Sequence, residues 1–302
     1  MQFRIVPKLH LPSRIYLIIA CLIAVVGIVS LAGPGLAGHL WSARSFAGKA
    51  AQTALPPLAA KQKSAYVNRS RLWPQLCLAL DALGNRLEKP GRERLILNGT
   101  LSRPNIAKGA PSPVHVILEA PDRLRLEQQN GSQLQVTVFD GSVNTEAVKS
   151  DGTLTAQDQS DVETLAFDTT DHFFVGRMQG QATRFLGPRF RLDDGKAEPY
   201  AGPYYDVYQM VDRITVTKES RPQPKFYFFN SETQLLERVR YEIDRGGRMV
   251  RVEVQYSSWQ KISGQQLPGK ITRLEDDSPV LALTLASVAI GPALPDNIFN
   301  RF

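Results

Sequence analysis

The side chains best suited to chemistry here are four histidines, His10, His39, His115 and His172, and two cysteines, Cys21 and Cys77. A zinc site needs several such ligands converging, usually signalled by H-E-x-x-H or a Cys/His cluster. Neither occurs, so no metal is implied. His10 and His39 fall in the N-terminal stretch. His115 sits between Val114 and Val116 with the opposite parity, which predicts an exposed strand position. Cys77 lies among Leu76, Leu78, Ala79 and Leu80 and reads as a small buried thiol. It has no neighbouring histidine to make it a nucleophile. There is no G-x-S-x-G elbow and no Walker loop.

The acidic clusters Asp193-Asp194-Gly195 and Glu275-Asp276-Asp277 abut turn residues and read as solvated turns rather than calcium ligands. Asn68, Asn98 and Asn130 open glycosylation-type triplets, and Asn98 and Asn130 have turn explanations. Arg125 reads as a strand arginine pairing with Glu127 or a cross-strand acid. Trp259, close to Tyr256, either rims an apolar slot or plugs the end of the sheet. Nothing promotes a catalytic constellation, so the reading is non-enzymatic and calls for no cofactor.

These residues must be positioned by strands. From Lys225 to Ile271, apolar-alternating runs follow one another with turns between. Val239, Tyr241 and Ile243 share one parity against Arg238, Arg240 and Glu242. Asp244-Arg245-Gly246-Gly247 turns the chain, and Val250, Val252, Val254 and Tyr256 resume the alternation. A period of two with one apolar and one charged face predicts half-buried antiparallel hairpins. Upstream, Leu124 and Leu126 alternate with charges, Asn130-Gly131 is a hairpin turn, and Leu134, Val136 and Val138 alternate again. Two helical patterns interrupt the strands. Leu72, Leu76, Ala79, Leu80, Leu83 and Leu87 predict an amphipathic helix within Tyr66–Glu88, bent or started at Pro74. Val162, Leu165, Ala166 and Phe173 predict another over Asp161–Gln179, capped by Ser160 or Asp161 and preceded by a mobile polar stretch, Ser150–Gln157.

The chain has 302 residues and a net charge of +7. Arg4, Lys8 and Arg14 precede an uncharged run, Ile15–Ala32, broken by Gly33-Pro34-Gly35. Residues 1–37 read as a signal peptide or an uncleaved membrane anchor, with the basic end cytoplasmic and the remainder outside. Beyond it the charge is only +4, 33 basic residues against 29 acidic, interleaved on strand faces, so nucleic-acid binding is not indicated. Residues 38–65, rich in Ala, Ser, Lys and Pro, read as a tether. One domain is expected over 66–302.

The segments "APDRLRLEQQNG…VFDG" and "LLERVRYE…VEVQYSSWQKISGQQLPGKI" resemble the outer-membrane lipoprotein carrier superfamily, the LolA/LolB/RseB-like proteins. The order of export signal, leading helix, strands, inserted helix and further strands is similar too. The resemblance implies an α+β fold, an unclosed antiparallel half-barrel wrapped over helices. It implies an extracytoplasmic protein whose concave apolar space holds a lipid, an acyl chain or an acylated protein. Arg125 matches the position of an arginine that latches the helical lid. The lining expected for such a cavity is Leu124, Leu126, Leu134, Val136, Val138, Val239, Tyr241, Val250, Val252 and Val254. Burying an acyl chain of about 14–16 methylenes at roughly 0.8 kcal/mol each would drive binding without any catalytic group. The alternative is an envelope regulatory or scaffolding module, its sheet packed solid, that binds another protein.

Overall fold

The computed structural model describes residues 67–84, 86–88, 94–105, 110–119, 123–141, 147–192, 202–211, 223–291 and 294–300. The expected signal or anchor (1–37), the tether (38–65), His10, His39 and the Asp193-Asp194-Gly195 cluster lie outside these residues.

Alternating side chains and tight turns build one antiparallel sheet. Its strands are β1 (Arg94–Ser102), β2 (Ser112–Glu119), β3 (Arg123–Asn130), β4 (Gln133–Asp140), β5 (Val148–Lys149), β6 (Thr183–Phe190), β7 (Tyr205–Val211), β8 (Pro224–Asn230), β9 (Leu236–Arg245) and β10 (Arg248–Ser257). After a separate short hairpin of β11 (Gln260–Ile262) and β12 (Gln265–Leu267), the sheet resumes with β13 (Lys270–Glu275) and β14 (Ser278–Ile290). The order is β5-β4-β3-β2-β1-β14-β13-β10-β9-β8-β7-β6. The late strand β14 pairs with β1, which joins an early meander to a late one. β5 and β6 remain as edges, so the sheet is an unclosed half-barrel.

The turns explain the registers. Gly246 and Gly247 both have positive φ, which gives a two-residue hairpin turn that sets Val252 opposite Tyr241 and Val254 opposite Val239. Asp276 and Asp277 make the β13–β14 turn with positive φ, a conformation Asp tolerates. Two of the three acids of that cluster therefore make a turn, Asp276 and Asp277 pairing with Arg248 and Arg251, while Glu275 ends β13 and pairs with Arg245 and Arg273.

The helices are shorter and more broken than their periodicity predicts. The leading helix α1 covers only Pro74–Ala82, flanked by 3-10 turns at Arg69–Arg71 and Arg86–Glu88. Pro74 starts it, and Gly84, at φ +82, stops it. A Cβ at Gly84 would lie 2.3 Å from the Gly264 carbonyl oxygen, so the chain turns against the β11–β12 hairpin. The inserted helix begins earlier than expected. Thr155 and Asp158 form a capping box that opens α2 (Ala156–Val162), which takes in the end of the stretch read as mobile. A π-helical turn, Glu163–Phe167, follows. Thr169 then caps a separate α3 (Thr170–Met178) by accepting the His172 amide.

The core lies between these helices and one face of the sheet. Leu76, Leu80, Leu83, Phe167, Phe173 and Phe174 pack there with Leu97, Val116, Leu124, Tyr227, Phe229, Val239, Val252, Val254 and Leu283. The opposite face is not bare. Ile117, Val136 and Val138 form a second small core under Phe299 of the C-terminal 3-10 turn Asp296–Phe299. Tyr205, Val207 and Phe228 form a third.

Candidate functional site

Two features lie between the helices and the sheet: a buried polar network and an apolar cavity. The network centres on Arg273 and Asp168, both fully buried. Arg273 shares the inward parity of Ile271 on β13. Its Nη1 donates to the Tyr241 hydroxyl at 3.0 Å, and to the Ser160 carbonyl, Glu163 Oε2 and Thr164 Oγ1, each at 3.3 Å. Its Nη2 reaches Glu275 at 3.0 Å. Asp168 accepts from Lys225 Nζ and from the Tyr241 hydroxyl, both at 2.8 Å. The Tyr256 hydroxyl donates to the Asp168 backbone carbonyl at 2.5 Å. Tyr241 thus uses both capacities of its hydroxyl, giving to Asp168 and receiving from Arg273.

Burial sets the electrostatics. It pushes the Tyr241 and Tyr256 phenols well above their ordinary range, which keeps both neutral as donors. Burial also works against the Arg273 charge, but Tyr241, Glu163, Asp168 and Glu275 outweigh it, and the guanidinium is held more firmly protonated than usual. The network therefore ties α2, the π turn and the link to α3 onto β8, β9, β10 and β13. Removing one partner from a buried pair of this kind costs about 3–5 kcal/mol.

The cavity opens beside this tie. Leu95 and Leu97 of β1, Tyr256, Ile271 and Leu285 of the central strands, and Leu267 and Pro268 line its sheet side. Leu165, Ala166, Thr169, Thr170 and Asp171 form the helical side, with Trp259, Leu118, Glu119 and Arg123 also in the wall. Its volume is about 70 Å³. A cavity of about 150 Å³ is what holds a benzene ring. The space is therefore too small for an acyl chain unless the helical side moves.

The residues predicted from sequence are distributed differently. Leu124, Leu126, Val239, Tyr241, Val252 and Val254 belong to the core on the helix-covered face, and Val250 is buried near the start of β10. None of them lines the cavity, because the helices fill the space above them with side chains. Leu134, Val136 and Val138 are corrected more sharply. In β4 the inward parity belongs to Thr137 and Phe139, so Val136 and Val138 face the C-terminal turn, and Leu134 is 53% exposed. Arg125 does not reach the helices either. Its Nε bonds Glu127 at 2.7 Å and its Nη1 the Ile298 carbonyl at 3.1 Å, on the opposite face. Arg273 occupies the bridging place instead. A signal for it existed: Arg273 and Lys225 are charged residues on the apolar parity of their strands, Arg273 with Ile271 and Lys225 with Tyr227 and Phe229. Tyr256 and Trp259 do stand together in the cavity wall, their rings 6.5 Å apart.

Fold and site define a class, an unclosed antiparallel sheet whose one apolar face is covered by short helices. No protein-family model and no curated protein matches the chain. Among solved structures it is similar to an "outer membrane lipoprotein-sorting protein domain" from Vibrio parahaemolyticus, with TM-score 0.47 and 10% identity over 68% of this chain and 89% of that one. It is also similar to a LolA-superfamily protein from Nitrosomonas europaea, with TM-score 0.43 and 14% identity over 74% and 96%. A DUF1329-family protein from Desulfovibrio piger is a third, with TM-score 0.41 and 11% identity over 75% and 95%.

Proposed function

We propose that this chain is a non-enzymatic binder of the apolar part of a lipid, an acyl chain or an acylated protein, working on the extracytoplasmic side of a membrane. The observation that carries the reading is the apolar cavity between the sheet and the segment Leu165–Asp171, flanked by a polar tie that can exchange protein partners for water. In this reading α2, the π turn and α3 are the moving cover. Arg273, in place of Arg125, is the arginine that holds it shut. The uncharged stretch 15–32 exports the domain or fixes it to the inner membrane. No helix among the described residues is long and apolar enough to cross a membrane. An anchored chain of this kind would hold or hand over its ligand locally.

Native mass spectrometry of the chain purified without delipidation, followed by lipid extraction, tests the proposal. A co-purifying acylated species, or uptake of one from added lipid, is the expected result. A chain that is clean as isolated and takes up no acylated molecule ends the reading.

One observation favours a second reading, an envelope scaffolding module. The cavity is small and the core around it is continuous. A sheet packed solid would retain no lipid and would instead capture an envelope protein.

A further inference from the structure

The cavity has two walls, and they are held in different ways. On the helical side, each acid of the segment 158–168 is tied to a cation outside it: Asp158 to Lys149, Asp161 to Arg103, Glu163 to Arg273 and Asp168 to Lys225. Moving that side separates charges that are largely buried, which is costly. On the other side, Trp259, Leu267 and Pro268 belong to the excursion 258–269 between β10 and β13, which folds into the β11–β12 hairpin outside the main sheet. Its one charged residue, Lys261, is exposed and pairs with no acid among the described residues. A two-stranded hairpin is at best marginally stable by itself. This one reaches the end of α1 through a long bond, the Gln266 amide donating to the Leu83 carbonyl at 3.4 Å.

The base of the hairpin is built as a hinge. Its two chain crossings, Ser258 and Gly269, meet there, the Gly269 amide donating to the Ser258 carbonyl at 3.0 Å. Ser258 is held at φ +55, a left-handed conformation that an L-residue occupies at a cost. A Cβ on Gly269 would lie 2.6 Å from the Ser258 carbonyl oxygen, so glycine is what lets the crossings approach this closely. Just beyond the hinge, the Trp259 Nε1–H is shut away from solvent with no acceptor, a second cost of the closed position. An outward rotation about Ser258 and Gly269 would return the indole to water, let Ser258 leave the left-handed region and break no ion pair.

The geometry points to the β11–β12 hairpin as the gate through which an apolar ligand enters, swinging on Ser258 and Gly269 and carrying Trp259, Leu267 and Pro268 out of the wall. The inference rests on the lipid-binding reading above and adds its route of entry. The helical cover then yields only to widen the slot around a chain already admitted. Closed is the resting position, because Leu267 is buried and Ile262 packs against the core.

Stopped-flow fluorescence with the full-length chain and two probes, cis-parinaric acid and a fluorescent phospholipid, tests the gate. A gate that is closed both before and after binding sets the association and dissociation rates together and drops out of the affinity. Ser258→Gly accepts the left-handed φ without strain and so favours the closed hairpin. Both rates should fall about fivefold while Kd stays at the wild-type value. Gly269→Ala presses the two crossings apart, so both rates should rise, again at unchanged Kd. Wild-type rates in Ser258→Gly overturn the inference and leave the lipid-binding reading standing. So does a change confined to one rate, which marks an effect on the bound complex rather than on a gate. If Gly269→Ala fails to fold, Ser258→Gly decides alone. A wild-type chain that takes up neither probe removes the gate and the lipid-binding reading together.

Discussion

At the scale of single residues, the two arginines that compete for the latch differ in burial, and burial fixes what each contributes. Arg125 and Glu127 are about a quarter exposed or less and lie on the outer face, where an ion pair is worth at most about 1 kcal/mol. Arg273 is fully buried and serves five partners at once. Replacing it by alanine strands buried acceptors and should lower the unfolding free energy by about 3–5 kcal/mol, whereas Arg125→Ala should cost about 1 kcal/mol or less. Urea titrations of the two variants make the comparison, and equal losses would refute the assignment. Arg125 was legible as a strand arginine because Glu127, two positions on, gave it a partner. Arg273 was not. Its role depends on Ser160, Glu163 and Thr164, more than a hundred positions away, and no local pattern announces that meeting.

At the scale of elements, strands and turns were legible where one parity was apolar and the other charged, as in β9 and β10. β4 failed that test because both of its parities are buried near its end, and a period-two reading cannot choose between them. What settles the choice is the C-terminal turn. Phe299, 2% exposed, covers Ile117, Val136 and Val138, and the Arg123 guanidinium stacks over its ring at 5.6 Å. Arg94 and Arg125 fasten the same segment through the carbonyls of Leu294 and Ile298. The turn is thus a structural strap over Ile117, Val136 and Val138 that also touches the cavity-wall residue Arg123. Phe299→Ala should destabilise the domain by about 3 kcal/mol. A denaturation midpoint that does not move would mean the strap adds nothing to stability. The helices were legible by type and misjudged by length, because Gly84 answers to a tertiary contact and the capping box at Thr155 is a local polar signal, and apolar periodicity registers neither.

At the scale of the whole molecule, the sheet-plus-helices architecture followed from alternation and turn chemistry, while the cavity did not. Its wall draws on strands from both meanders, brought together only by the β1–β14 pairing, together with Trp259, Pro268 and one helical turn. Tyr241 and Tyr256 are buried under the helices and Tyr205 in the small core of the opposite face, and together they make stability depend on alkaline pH. Tyr241 and Tyr256 are held well above the ordinary phenol range by burial, and Tyr205 is pushed up to about 12, again mainly by burial. A raised folded-state value means the folded chain keeps protons that the unfolded chain releases. The stabilisation is therefore complete below the unfolded value near 10 and declines as pH rises above it. Denaturation midpoints should be flat from about pH 8 to 9.5 and fall steeply beyond about pH 10. Phenolate absorbance from the buried tyrosines should appear together with unfolding, not before it. In Tyr241→Phe the fall should be shallower, set against a lower starting stability because Asp168 and Arg273 lose the hydroxyl between them. Early phenolate absorbance from a still-folded chain would show that these phenols are wet, and the sealed contact between helices and sheet would have to be abandoned.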